Sequence, residues 1–268
     1  MNMKQRKFYI CIDGERALPW QKGFEADIIR NTDEINIEKS KEDGDVFVIW
    51  GRGLYQFMMA NNLNFLYSDS GYFNQPNDTN PKGKKIYHRV AYNKFQGETI
   101  LNVPSDRFDS LGVETNPWTK KGRHILVAPP SEKTFALLDL NENKDQWLER
   151  IISEIKQYTD RPIKIRHKIG NRGERIRLNP IMNDLDNCHC VVTGNSIIAT
   201  EAITLGVPAC VLDENAASPV AIKQLSDIEN PIRPNREQWW NSLAYQQYTM
   251  DEVETGVCMD QVRTIFQI

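Results

Sequence analysis

Cys190–Asp213 reads CVVTGNSIIATEAITLGVPACVLD, and this stretch decides the fold. Cys190–Thr193 is a short apolar run that reads as a buried strand. Thr193-Gly194-Asn195-Ser196 interrupts it with small and hydroxylated residues. Asn195–Leu205 is then helix-compatible, with Gly206 to end it, and Pro208–Leu212 (PACVL) restarts a strand. Strand, turn, helix and strand in this order make a βαβ unit of a parallel sheet. Free N–H groups and a positive helix end at such a turn suit an anion. Thr193, Gly194, Asn195 and Ser196 are therefore candidate phosphate contacts. Glu201, about a turn and a half into the helix, can accept hydrogen bonds from ribose hydroxyls. An ordinary turn with Ser196 as N-cap and Glu201 in solvent explains the same residues without a ligand.

The pattern continues upstream. His124–Ala128 (HILVA) is a strand stopped by Pro129-Pro130, and Ser131 offers an N-cap. Asp145–Tyr158 is an amphipathic helix with Trp147, Ile151, Ile155 and Tyr158 on one face. Pro162–Arg166 is a short strand. Alternation of this kind predicts a doubly wound parallel sheet. The first half repeats it, with strands at Lys7–Ile12, Asp45–Trp50, Asn64–Ser68 and Ile86–Tyr92 and a helix at Leu54–Asn61. Residues 70–85 are rich in Gly, Pro and Asn and read as a long loop. TNPWTKKGR at 115–123 marks a boundary. The expected division is 1–122, 123–240 and a helical, aromatic tail at 241–268.

With 268 residues, two modest domains are expected rather than one. The balance of 33 Lys+Arg against 36 Asp+Glu excludes a generally basic nucleic-acid coat, though not a local basic site. No run of 18 apolar residues is present, so neither a membrane helix nor a membrane partner is expected. The N-terminal apolar stretch ends at Asp13 and is too short for a signal peptide. Five cysteines at 11, 188, 190, 210 and 258 follow no disulfide or zinc spacing, which implies a reducing cytoplasm. Asp184-Leu185-Asp186 has a metal-binding form but stands where turn and cap residues belong. No metal ligand is assigned.

Residues 162–177 hold six Lys or Arg against Glu174 alone. Arg166, His167 and Lys168 fall at a strand's carboxyl end, where they can clamp a diphosphate. A solvated basic loop or nucleic-acid contact fits the same charges. Two carboxylates stand at strand ends of the first half. Asp69 follows NFLYS and Asp13 follows the first strand, and either can act as a general base. Turn formation explains both equally well.

Taken together, the Ser/Thr turn, Glu201-Ala202 and Leu205-Gly206-Val207-Pro208 resemble the donor-binding block of GT-B glycosyltransferases. The resemblance implies an α/β architecture of two Rossmann-like lobes facing a central cleft. It implies a nucleotide-diphosphate sugar, UDP-linked in the first instance, held by Ser131, Arg166, His167, Lys168, Thr193, Gly194, Asn195, Ser196 and Glu201. It implies no tightly bound cofactor, no metal, and C-terminal helices crossing back to the first lobe. Arg166-His167 is similar to the R-x-H-P strand end of capsule-type and phage enzymes, with Lys168-Ile169 where Pro would be expected.

Tyr67–Phe73, Arg89…Asn93…Gln96 and the tail Leu243–Gly256 look like a set of phage-encoded proteins. Their pattern runs D-x-G-Y-F … Y-R-x-x-x-N-x-x-Q, then L-A-Y-x-Q-W-T-x-x-E-I-x-x-G. This likeness implies a host cytoplasm and a 5-hydroxymethylpyrimidine of double-stranded phage DNA as acceptor. Tyr72, Lys84, Arg89, Asn93 and Gln96 would contact it, with nearby aromatics stacking on bases. A polysaccharide or lipid-linked acceptor is the alternative. A sugar-nucleotide epimerase and a noncatalytic nucleotide- or sugar-binding protein also remain open.

Overall fold

Continuous apolar strands fix the middle of each of two sheets. The computed structural model describes residues 6–51, 53–73, 86–137, 141–167 and 181–268. The chain forms two units. One comprises Met1–Gln75, Lys85–Gly97 and Leu243–Ile268, and the other chiefly Glu98–Ser242.

The first unit begins with β1 (Phe8–Cys11), α1 (Ala17–Phe24), β2 (Asp27–Ile28), α2 (Ile37–Asp43), β3 (Val46–Trp50), α3 (Gly53–Ala60), β4 (Asn64–Ser70) and β5 (Tyr87–Tyr92). Val46, Phe47, Val48 and Ile49 are all at most 1% exposed, so β3 is covered on both faces. The second unit holds α4 (Asp106–Leu111), β6 (His124–Ala128), α5 (Glu132–Leu137), α6 (Lys144–Ile155) and β7 (Ile163–Ile165). It continues with α7 (Ile181–Leu185), β8 (Cys188–Thr193), α8 (Ile198–Thr204), β9 (Ala209–Val211) and most of α9 (Glu237–Ala244). The chain then returns to the first sheet with β10 (Gln247–Thr249), followed by α10 (Met250–Glu254) and α11 (Val257–Phe266).

The first sheet runs β10-β5-β4-β3-β1-β2. β2, β1, β3 and β4 are mutually parallel, while β5 is antiparallel to β4 and β10 antiparallel to β5. The second sheet is all parallel, in the order β7-β6-β8-β9. Both are Rossmann-like, with an antiparallel edge on the first that the sequence pattern did not predict.

The C-terminal segment packs on the first unit through a close backbone approach. A Cβ at Gly23 in α1 would lie 1.6 Å from the carbonyl oxygen of Val253 in α10. Only glycine permits that contact. Trp20, Phe24, Val253, Cys258 and Val262 share one buried cluster with Ile10 and Val48.

Three boundaries differ from the sequence reading. The N-terminal part of the first unit runs to Gly97, where the sequence reading placed the boundary near 122. Residues 98–122 are held by the second unit, where Gln238 Nε2 donates to the Val103 carbonyl at 3.0 Å and Thr119 N to the Gly206 carbonyl at 2.8 Å. α8 starts at Ile198, because Gly194–Ser196 form a turn rather than a first helical turn. α6 ends at Ile155, so Tyr158 leaves the apolar face and is 42% exposed. The expected loop at 70–85 lies mostly outside the described residues.

Arg236 organises the second unit. It is 8% exposed, and among the described residues no carboxylate pairs with it. Its guanidinium donates to the carbonyls of Ile203 and Asn116 and lies between the rings of Trp118 and Trp240, 4.1 and 4.7 Å from their centroids. Burial pushes its pKa down. A planar fork stacked on two indoles cannot be replaced by a point charge. Arg236→Lys is expected to lower unfolding stability by about 3 kcal/mol, measured by urea titration.

Candidate functional site

Ligands of open α/β sheets bind where neighbouring strands send their connections to opposite sides. In the second unit that point lies between β6 and β8, since β7 and β8 flank β6. The segments leaving these strands are Pro129-Pro130-Ser131 and Gly194-Asn195-Ser196. The structure thus brings Ser131 to the side of the TGNS turn. A Cβ at Gly194 would stand 3.2 Å from Pro130 Cγ.

The expected donor residues other than Lys168 have definite places. Thr193 is fully buried, and its hydroxyl donates to the Ala128 carbonyl, tying β8 to β6. Ser131 Oγ lies 3.0 Å from Thr134 Oγ1. Ser196 Oγ accepts from Ile198 N at 3.4 Å, but the N-cap position of α8 is Ile197, which has no side-chain cap bond. Asn195 is buried and Glu201 half-buried in the first turn of α8. Arg166 leaves the carboxyl end of β7, where its N–H donates to the Val127 carbonyl at 2.9 Å. Its guanidinium is paired with Asp184 on α7, and both side chains are mostly buried. Asp184 also accepts at its carbonyl from His124 Nε2 at 3.0 Å. The expected diphosphate clamp is therefore, at Arg166, an ion pair that fastens α7 to the sheet. His167 is exposed, and Lys168 lies outside the described residues.

Cys188 and Cys190 pair with the consecutive residues His124 and Ile125, so His189 is the extra residue of a β-bulge in β8. Burial pushes the Cys188 thiol up to about 12, and His189 Nε2 donates to the Ile228 carbonyl at 3.1 Å. These residues pack the strand.

Sequence reasoning missed the residue that shapes the turn. Asn215 is fully buried; its Nδ2 donates to the carbonyls of Gly194 (2.9 Å) and Ser196 (3.1 Å). Its Oδ1 accepts from Ala217 N at 2.9 Å. In a trans peptide the N–H points opposite to the C=O. Holding those two carbonyls therefore turns the N–H groups of Asn195 and Ile197 away from Asn215. The polar run Asp213-Glu214-Asn215 after a strand was the available signal.

The switch point of the first unit lies between β1 and β3, since β2 and β3 flank β1. Asp13 and Gly14 follow β1, and Gly51 follows β3. Gly14 and Gly51 have φ of +67° and +75°, and a Cβ on either would meet nothing within 4 Å. Asp13 is exposed, and among the described residues nothing bonds its carboxylate. Trp50 lies against His88 in a tilted arrangement, with centroids 4.8 Å apart, and the Arg16 guanidinium lies 5.8 Å from the Trp50 ring. Burial lowers the His88 pKa, opposed by Asp69 and reinforced by Arg16.

Asp69 sits opposite Arg89 across β4 and β5, and the two are ion-paired at 3.2 Å. Arg89 is 6% exposed in its side chain and also covers the Phe95 ring at 5.2 Å. The expected acceptor residues divide. Tyr72 is 4% exposed, and its hydroxyl accepts from Gly97 N at 2.8 Å. Gln96 is buried. Asn93 Oδ1 accepts from Phe65 N at 2.8 Å, at the start of β4, whereas Asp69 is at its end. At ~3.3 Å per residue the length of the strand separates them. Tyr72, Arg89 and Asn93 thus make bonds within the first unit, and Gln96 is buried there. Lys84 lies outside the described residues.

The sequence matches no protein-family model and no curated protein. Among solved structures, the fold is similar to Thermosulfurimonas dismutans KpsC, beta Kdo 2,7 transferase, with a TM-score of 0.55 and 11% identity, over 96% of this chain and 100% of that one. It is also similar to Thermosulfurimonas dismutans KpsC, beta Kdo 2,4 transferase, with a TM-score of 0.50 and 10% identity, over 91% and 92%. These likenesses establish the fold class: a mixed α/β, Rossmann-like fold with parallel sheets, of a kind found in glycosyltransferases. Among the described residues no helix is long and apolar enough to cross a membrane.

Asn215→Ala would leave two carbonyls and one N–H without their partner. It is expected to lower stability by about 2–4 kcal/mol in urea unfolding, more than Asn215→Ser, whose hydroxyl can still serve one group.

Proposed function

We propose that this chain is a glycosyltransferase that moves a sugar from a nucleotide-activated donor to a hydroxyl of a glycan. The observation that carries the reading is the polar turn at the second switch point. There Ser131 and the Asn215-pinned Gly194–Ser196 turn stand together. Turn N–H groups and hydroxyls at a parallel sheet's carboxyl end suit the phosphates of such a donor. The names of the two matched structures, both sugar transferases, agree with it.

In the reaction, an acceptor hydroxyl oxygen bonds to the anomeric carbon as that carbon's bond to the donor phosphate breaks. The phosphate leaves with the electron pair, and N–H donors in the crevice stabilise its charge. A carboxylate takes the hydroxyl proton. Asp13 suits this role better than Asp69. It is exposed beside two open glycine turns, while Asp69 is taken up by its ion pair with Arg89 within the sheet. A glycan is favoured over a hydroxymethylated base because three of the five aromatics expected to stack on bases, Tyr72, Phe73 and Phe95, are buried, while Tyr87 and Tyr92 are half-buried. A cytoplasmic location belongs to the same proposal.

Thermal-shift titration with UDP, GDP, CDP, CMP and their sugars tests the donor reading. Ligand at ~100-fold over its dissociation constant should add about 2.7 kcal/mol of stability. No shift with any of them contradicts the reading. With the donor so found, Asp13→Asn should lower kcat by about 10²–10⁴ with stability unchanged. Asp69→Asn should instead lower stability by about 1–3 kcal/mol, because it leaves the buried Arg89 without its partner.

A further inference from the structure

Asp213 follows β9 at the carboxyl end of the second sheet, beside the Gly194 turn. Leu212 N donates to the Thr193 carbonyl at 3.0 Å, which fixes the two segments against each other. A Cβ at Gly194 would stand 2.2 Å from Asp213 Oδ2. The glycine of the TGNS turn therefore makes room for a carboxylate. Its φ is not in the left-handed region, so conformational freedom does not explain it.

That carboxylate is half-buried, and among the described residues it has neither a hydrogen bond nor an ion pair. The charged groups that influence it are Arg150 and Glu142, which are committed to each other by two hydrogen bonds. Burial raises the Asp213 pKa above its ordinary 3.8, with Arg150 pulling it down and Glu142 up. A half-buried carboxylate without a hydrogen-bond partner is a cost to the fold. In a ligand crevice it accepts hydrogen bonds from hydroxyls and repels an anion.

We infer that Asp213 sets the sugar class of the donor, taking a hydroxyl-bearing, uncharged sugar and rejecting one that carries its own carboxylate. The inference rests on the reading of this crevice as the donor site. An ionised Asp213 facing a sugar carboxylate would oppose binding, whereas sugar hydroxyls supply the donors that the fold withholds. Asp213→Asn removes the charge and keeps the shape. Gly194→Ala displaces the carboxylate without removing it.

The test is calorimetric titration of the full chain with UDP-glucose against UDP-glucuronate, and GDP-mannose against GDP-mannuronate, with free UDP, GDP, CDP and CMP alongside. The native chain should bind a neutral sugar at least ~10-fold more tightly than its acid counterpart, and in Asp213→Asn and Gly194→Ala the two should come within ~2-fold. Asp213→Asn should also raise Tm at pH 7. With the folded pKa raised, the cost is present above that value and fades as pH falls through it toward 3.8, so the gain should vanish in acid. Loss of discrimination with a gain in stability cannot come from misfolding. A native chain that binds neither neutral sugar more tightly than its acid overturns the inference, as does discrimination that survives Asp213→Asn. If no free nucleotide binds, the donor-site reading falls and takes the inference with it. Binding of free nucleotides without sugar discrimination sinks the inference alone.

Discussion

Two hydrogen bonds from one buried amide govern the second unit. Asn215 grips the carbonyls of Gly194 and Ser196, and its own oxygen is held by Ala217. The connection after β9 thereby dictates the shape of the connection after β8. The turn's N–H groups face away from the amide, α8 begins only at Ile198, and Gly194 lies under Asp213. Removing the amide would free the turn to take other shapes, at the end of the sheet where its neighbours β6 and β9 also deliver polar residues. A side chain that contacts no ligand can in this way set the geometry of a ligand crevice.

The first unit is organised by a different balance. Its sheet is closed on one side by residues far away in sequence, since β10 pairs with β5 and α10 packs on α1 through Gly23. Charge within that sheet is neutralised locally, with Arg89 paired to Asp69 and covered by aromatic rings. Asp13 has no such pair among the described residues, and a Cβ on Gly14 or Gly51 nearby would meet nothing within 4 Å. One carboxylate serves structure and the other stays available. Residue type alone could not separate them, because both stand at strand ends.

The parallel sheets were legible because apolar runs bounded by Gly and Pro recur at βαβ spacing. HILVA appears as β6 at the expected residues, and the strand after the TGNS turn needed only trimming to Ala209–Val211. What stayed hidden depended on contacts between distant segments. Nothing near Arg166 announces that Asp184 would occupy it, and nothing near Tyr72 announces that Gly97 would bond its hydroxyl. The glycine in TGNS was visible as a motif, but its reason, a carboxylate nineteen positions on, was not. Basic and aromatic residues near 72–96 read as a surface for DNA because their composition fits one. In the fold, several of them, Tyr72, Phe73, Arg89 and Phe95, are buried, since large aromatic rings bury much apolar area when they pack.

The central claim is that the Asn215-held turn receives the phosphates of a nucleotide donor. Amide resonances of Asn195–Ile198, followed by NMR during titration with UDP, GDP, CDP and CMP, test it most directly. The account predicts saturable shifts at these amides with at least one nucleotide, and their loss in Asn215→Ser. Saturable binding that moves amides elsewhere and leaves Asn195–Ile198 untouched would contradict it.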